Sequence, residues 1–122
     1  HGLARQDCQG LINYLILRGA IDGQAPPLPP LLNPPTPLAG VEPVQSPVGG
    51  LMVFCAQVGD YLEAGQILAD VIDPITDRVT PVACARAGLL YVRSVRRMAT
   101  AGMTIAHVAG AKAYRQGYLL SP

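Results

Sequence analysis

The sequence predicts a mainly β fold built from two half-repeats, preceded by one α-helix and a proline-rich linker. Three observations carry that expectation. Gly59 and Gly65 flank the short run Asp60-Tyr61-Leu62-Glu63-Ala64. Two glycine-permitted reversals so close together leave no room for a helix, and Ile67, Leu68 and Val71 then read as a mostly buried strand. The pattern also recurs. Ala64-Gly65-Gln66-Ile67-Leu68-Ala69-Asp70-Val71 lines up with Ala101-Gly102-Met103-Thr104-Ile105-Ala106-His107-Val108, and Gly50-Leu51-Met52-Val53 with Gly88-Leu89-Leu90-Tyr91, with one residue of slack between the two anchors. Finally, a half-sized β unit cannot bury its own apolar face, so the two copies are expected to pack face to face. Where the first copy has Gly59-Asp60 the second has Arg96-Arg97, so that reversal must use other turn chemistry.

Taken in order, Leu3 to Arg18 fits a helix with Cys8, Leu11, Ile12 and Leu15 on one stripe. Asp7 early and Arg18 late suit the macrodipole, and Gly19 is placed to close the helix as its C′ residue. Gly10 costs up to ~1 kcal/mol relative to Ala, which predicts a close packing contact there. From Gly23 to Gly40 the chain turns extended: seven prolines fall between Pro26 and Pro37, and their fixed φ and missing N–H exclude helix and central strand. Pro27 and Pro30 make a Pro-x-x-Pro ligand for a peptide-binding groove conceivable. The reading preferred is a stiff linker that pins Leu28, Leu31 and Leu32 to a surface. After Val41 the β unit begins, with Gly49-Gly50 permitting close backbone approach. Ile72 to Pro81 reads as an exposed connecting hairpin or loop, with turn signals at Asp73-Pro74 and Thr76-Asp77. The second copy runs to Val108, and Tyr114, Tyr118, Leu119 and Leu120 of the tail are expected to fold back onto the surface.

Composition limits the functional classes. The chain has 122 residues, of which only 14% are charged against a typical ~25%. It therefore has little charge with which to coat a free surface, and some apolar surface is expected to be covered by another domain or subunit. A net charge of +1 favours neither nucleic acid nor an anionic membrane. No apolar run approaches the ~18 residues of a membrane span. The chain does not open on Met, and the expectation is that the natural protein is longer. Cys8, Cys55 and Cys84 are scattered, with no Cys-x-x-Cys spacing, and read as reduced core thiols of a cytoplasmic protein.

Chemistry-bearing residues are few. His1 and His107 are the only histidines, and neither has the Glu or His neighbour at helical spacing that a metal site requires; His107 reads as a structural strand residue. Asp70 and Asp73 are close in sequence but read as facing different ways, with Asp73 capping the Pro74 turn. Gly49-Gly50 lacks the Lys and following helix of a phosphate loop. Arg86, Arg93, Arg96 and Arg97 form the one basic cluster; Arg93 and Arg97 are placed to share a face and bind a carboxylate or phosphate. The simpler reading is a solvated, charge-guarded sheet edge. No residue of the chain is assigned a catalytic, cofactor-binding or metal-ligating role.

The segments GDYLEAGQILADV, preceded by PVGG, and AGLLYVRS…AGMTIAHVAG resemble the half-repeats of the barrel-sandwich hybrid of biotinyl and lipoyl domains. Those domains carry a modifiable Lys at the tip of the hairpin between the halves. Here that hairpin, Asp73 to Thr80, has none, and the single lysine, Lys112, lies well outside it. A closer resemblance covers nearly the whole chain. RQDCQGLINYLILRGAIDG, a proline-rich link ending TPLAGVEPV, and the β unit with IDPITDRVTPV between its halves together resemble the C-terminal part of the succinylglutamate desuccinylase/aspartoacylase family. Members of that family are zinc-dependent amide hydrolases acting on small N-acyl amino acids and similar substrates. Their zinc is held by a His-x-x-Glu pair and a later His, with a Glu as general base, all in an N-terminal catalytic domain. No position here matches those residues.

The resemblance implies this organisation: 1–22 the terminal helix of a missing catalytic domain, 23–43 a proline-rich linker, 44–110 the duplicated β-domain, and 111–122 a tail. It implies no cofactor in this fragment, with zinc expected in the missing catalytic domain. It also implies partners in that domain, in a small-molecule substrate of the full-length protein and in a homo-oligomer, with no nucleic acid and no membrane. The alternative is a free-standing biotinyl/lipoyl-like binding or adaptor module without covalent cofactor.

Overall fold

The computed structural model describes residues 2–27, 30–31, 33–117 and 119. The chain divides into two compact units, 1–31 and 32–122. The first is the helix α1, Gly2–Leu17, with the turn that ends it. Gly19 stands at φ +72; its amide donates to the Ile16 carbonyl and the Ala20 amide to the Leu15 carbonyl, both at 2.9 Å. That pair of bonds is a Schellman closure, as the position of Gly19 predicts. The other expectations for α1 need correction. Cys8, Leu11 and Ile12 of the proposed stripe are exposed, and no residue of α1 is buried. Asp7 falls beyond the first turn and Arg18 just past the last helical residue. A Cβ placed at Gly10 meets nothing within 4 Å. Of the linker residues expected to pin to a surface, Leu28 and Leu32 lie outside the described residues, and Leu31 is exposed.

The second unit is all β: β1 Val41–Gln45, β2 Gly50–Phe54, β3 Tyr61–Leu62, β4 Ile67–Ile72, β5 Val79–Ala83, β6 Gly88–Arg93, β7 Met98–Ala99 and β8 Thr104–Ala109. Two antiparallel four-stranded sheets result, ordered β1-β8-β6-β3 and β5-β4-β2-β7. Advancing every strand of the first sheet by four, with β6 and β8 wrapping to β2 and β4, yields the second. The duplication is therefore complete at the level of topology, and each copy gives its first and third strands to the sheet built on the other's second and fourth: β1 pairs with β8 and β3 with β6, β5 with β4 and β7 with β2.

The repeat extends further back than the two anchors seen in the sequence. β5 begins inside the segment expected to be a loop, so the true connection is only Asp73 to Arg78. β1 and β5 share Val-x-Pro-Val, at Val41 to Val44 and Val79 to Val82. Both lie at sheet edges, where a proline without an N–H removes no ladder bond. The single residue of slack falls in the loop before β7, where Arg96-Arg97 replace Gly59-Asp60.

The core follows the same symmetry. Val44 and Val82, Met52 and Leu90, Leu62 and Ala99, Leu68 and Ile105, Ala69 and Ala106, and Val71 and Val108 occupy equivalent positions, and all are buried in one cluster. Ser46 and Cys84, also buried, form a seventh pair. Gly50 and Gly88 open the second strand of each copy where the last residue of the fourth strand crowds in. A Cβ at Gly50 would sit 2.5 Å from the Ile72 carbonyl oxygen, and one at Gly88 would strike that of Ala109. The expected close approach is thus real at Gly50, whereas a Cβ at Gly49 makes only ordinary contact. Past β8, the amides of Tyr114 and Arg115 both donate to the Ala39 carbonyl (3.0 Å), and the Tyr114 hydroxyl donates to that of Val41 (3.1 Å). This part of the tail folds back; Tyr118 and Leu120 lie outside the described residues.

Candidate functional site

The four-arginine cluster separates in space. Arg86 precedes β6 and Arg93 ends it; at ~3.3 Å per residue the strand sets them about 20 Å apart. The Arg86 guanidinium lies over the Tyr114 ring, 3.7 Å from its centroid, and shares a cavity of about 380 Å³ with Tyr61 and Lys112. Arg93, Arg96 and Arg97 stay together around a second cavity of about 400 Å³, which Val53 and Phe54 also line. Arg93 Nη1 donates to the Ala56 carbonyl (3.2 Å), and its guanidinium lies over Phe54 with 5.3 Å to the centroid.

The loop carrying Arg96 and Arg97 is anchored at both ends. The Ser94 amide donates to the Ile105 carbonyl, and the Met52 amide to the Arg97 carbonyl, each at 2.7 Å. Between them the Arg96 amide donates to Ser94 Oγ (3.2 Å). This is the substitute turn chemistry that the loss of Gly-Asp requires. In the first copy Asp60 Oδ2 accepts from the Gln57 amide (2.8 Å), and the Leu90 amide donates to the Asp60 carbonyl (2.9 Å), the counterpart of the bond from Met52 to Arg97.

Asp70 and Asp73 are not a pair. Asp70 lies on β4 in register with Val53 and Pro81, with Cys55 Sγ 3.8 Å from its Oδ2. Asp73 caps the hairpin: Oδ1 accepts from the Ile75 amide (2.9 Å) and Oδ2 from the Thr76 hydroxyl (2.8 Å). Those two bonds, the Ile75 amide first, hold its carboxyl below the usual range. His107 is half-buried on β8, opposite Pro43 and Val92, with the Tyr91 ring 6.0 Å away. His1 lies outside the described residues. The cysteines correct the sequence reading: Cys8 and Cys55 are exposed and only Cys84 is buried. Burial, reinforced by the Glu42 carboxylate, pushes the Cys84 thiol up. Glu42 meanwhile clamps the next turn by accepting from the Ala85 and Arg86 amides at 2.8 and 2.9 Å. Sequence reasoning missed Glu42 altogether, because nothing near it in the chain marks a contact with Ala85.

Among the described residues, no three His, Cys, Asp or Glu side chains converge as metal ligands. No helix among them is long and apolar enough to cross a membrane. Lys112 lies beyond β8, far in sequence from the hairpin tip at Pro74 to Asp77.

No protein-family model and no curated protein matches the sequence. Solved structures do match in fold. A protein assigned to the succinylglutamate desuccinylase/aspartoacylase family from Shewanella frigidimarina NCIMB 400 superposes with a TM-score of 0.71 at 20% identity, over 85% of this chain and 29% of its own. The product-bound ectoine utilization protein EutE (DoeB) of Ruegeria pomeroyi gives 0.67 at 27% identity, over 84% of this chain and 31% of its own. Kluyveromyces lactis urea carboxylase gives 0.52 at 21%, over 71% of this chain and 8% of its own. The chain thus spans about a third or less of the solved structures it matches. The resemblance read from the sequence holds in three dimensions: over most of its length, this chain has the fold of part of a succinylglutamate desuccinylase/aspartoacylase family protein.

Proposed function

We propose that the chain is the non-catalytic C-terminal domain of a zinc-dependent deacylase of this family. The full-length protein would hydrolyse the amide bond of small N-acyl amino-acid-like substrates. The observation that carries the reading is the coverage: most of this chain matches, but only about a third of each family neighbour. The described residues do not fit a zinc centre, so the metal, its water and the general base are assigned to polypeptide preceding α1, and no step of the reaction is derived from this chain. Two further features support the reading. Exposed Leu3, Leu11 and Leu17 on α1 give a catalytic domain apolar surface to cover. So does a row in register across the outer face of the second sheet, Val79, Ile72, Leu51 and Met98, of which all but Ile72 are exposed. The same surfaces suit a homo-oligomer, and the cytoplasm is the proposed compartment. The β unit itself is assigned to the barrel-sandwich hybrid class, on its fourfold strand correspondence.

The upstream coding sequence should contain His-x-x-Glu, a later His and a Glu shortly before α1. The longer protein should bind zinc and hydrolyse N-acyl amino acids, and a chelator should abolish the activity. An upstream sequence without His-x-x-Glu, or hydrolysis by these 122 residues alone, contradicts the reading. The resemblance of the half-repeats keeps a free-standing biotinyl/lipoyl-like binding or carrier module as the second reading. A biotin or lipoate adduct on Lys112, seen by intact mass from the native host, would favour it; the unmodified mass is expected.

A further inference from the structure

We infer that the cavity between Phe54 and the Arg93–Arg97 segment is a binding site for a small organic carboxylate with an apolar body. The inference stands on this chain's own residues and is independent of the deacylase reading.

Three features carry it. The cavity joins two kinds of surface: a rim with Arg93, Arg96 and Arg97, and a wall of the apolar residues Val53 and Phe54, while the Met52 side chain faces the core. Its volume of about 400 Å³ falls in the range of small-molecule sites, ~300–1,000 Å³. A planar guanidinium offers a carboxylate two parallel N–H donors, which makes arginine the fitting residue for such a group. Inorganic phosphate would use the rim and leave the wall unoccupied, whereas a carboxylate on a hydrocarbon or aromatic body uses both.

The site is also held in place before any ligand arrives. Arg93 is fixed by the Ala56 carbonyl and the Phe54 face. The loop bearing Arg96 and Arg97 is bonded to β8 at Ser94 and to β2 at Arg97. A rigid backbone lowers the ordering cost of binding.

The third feature is the contrast with the other half-repeat. The equivalent loop there is Gln57-Val58-Gly59-Asp60, in which the acidic side chain is turned onto its own loop amide. Nothing in the β scaffold demands arginine at this turn, since the first copy closes without it. Arg96 and Arg97 are therefore a property of this one loop, and they join Arg93, at the end of β6, in lining the cavity beside Val53 and Phe54.

The probe is benzoate, titrated into the 122-residue chain and followed by backbone-amide NMR, with acetate and inorganic phosphate in parallel. Saturable shifts are expected at Phe54 and across residues 93–97, weaker for acetate and phosphate. They should weaken further as salt rises from about 50 mM to about 500 mM, because these charges are exposed to screening. The R96Q/R97Q variant alters side chains whose backbone bonds remain, and should lose tenfold or more in affinity with an otherwise unchanged spectrum, a difference of at least ~1.4 kcal/mol. If that variant does not fold, Val53→Asp supplies the test: it sets a carboxylate in the wall and should abolish the benzoate shifts. Three results would overturn the site: no saturation by about 100 mM, weaker than any specific affinity of use; equal binding by R96Q/R97Q; or phosphate binding as tightly as benzoate.

Discussion

The two half-repeats have the same strands in the same order and the same buried positions, yet they differ at one turn and at their margins. Val41 is 7% exposed while its counterpart Val79 is 53% exposed; the tail returns to β1 through Tyr114, and among the described residues no tail bond of that kind reaches β5. Leu62 fills the core from β3 where β7 supplies only Ala99. Gln57 to Asp60 close one reversal and Ser94 to Arg97 the other. The difference teaches that the duplicated core specifies the fold, while individuality has collected where the core does not constrain it.

Equal burial should mean equal cost. Leu68→Ala and Ile105→Ala empty equivalent, fully buried sites, and each is expected to lose about 3–5 kcal/mol in urea unfolding. A large loss at one site beside a negligible loss at the other would break the equivalence of the two halves. The paired glycines sharpen it at the backbone. Gly50→Ala and Gly88→Ala both drive a Cβ into a carbonyl oxygen and should each cost about 2–3 kcal/mol. Gly59→Ala meets open space and should cost about 1–2 kcal/mol, from its φ of +104 alone.

The seventh core pair gives a pH test. The folded state raises the Cys84 thiol above its ordinary 9.0, so it favours the protonated form. That contribution is fully present below pH 9.0 and is lost as pH rises through the higher folded value. Cys84→Ser, which installs the residue of the equivalent Ser46 position, should flatten the alkaline fall in thermal stability. An unchanged alkaline limb in Cys84→Ser would contradict this. The smallest effect is at the hairpin between the halves. Asp73 is lowered from 3.8, so its caps stabilise above that pH and fail as pH drops through the lower folded value. Asp73→Asn should remove that acid component with little effect at neutral pH, as melting curves at both pH values would show.

Much of this was legible in the sequence because the repeat is marked by residues with few alternatives. Gly65 and Gly102 occupy φ of +84 and +79, and the strands that follow them are strongly apolar. The Val-x-Pro-Val repeat went unread because proline signals interruption; only the knowledge that β1 and β5 are edges makes Pro43 and Pro81 compatible with strand. The exchange of β3 and β7 leaves no trace, since two residues carry no periodicity. Exposure was the other blind spot: Cys8 and Leu11 look like core by type, but their surroundings come from outside the helix. For the arginines, nearness in sequence misled at Arg86, because an extended strand carries the chain away from it, and was reliable for Arg93, at the end of β6, and for Arg96 and Arg97 in the loop that follows.

The central claim is that a duplicated β core forms here without a metal centre of its own. Equilibrium dialysis of the 122-residue chain against zinc, with the metal counted per chain, tests it most directly. The account predicts zinc far below one ion per chain, removed by a weak chelator with the fold intact; one tightly held ion per chain, bound by side chains of this sequence, would contradict it.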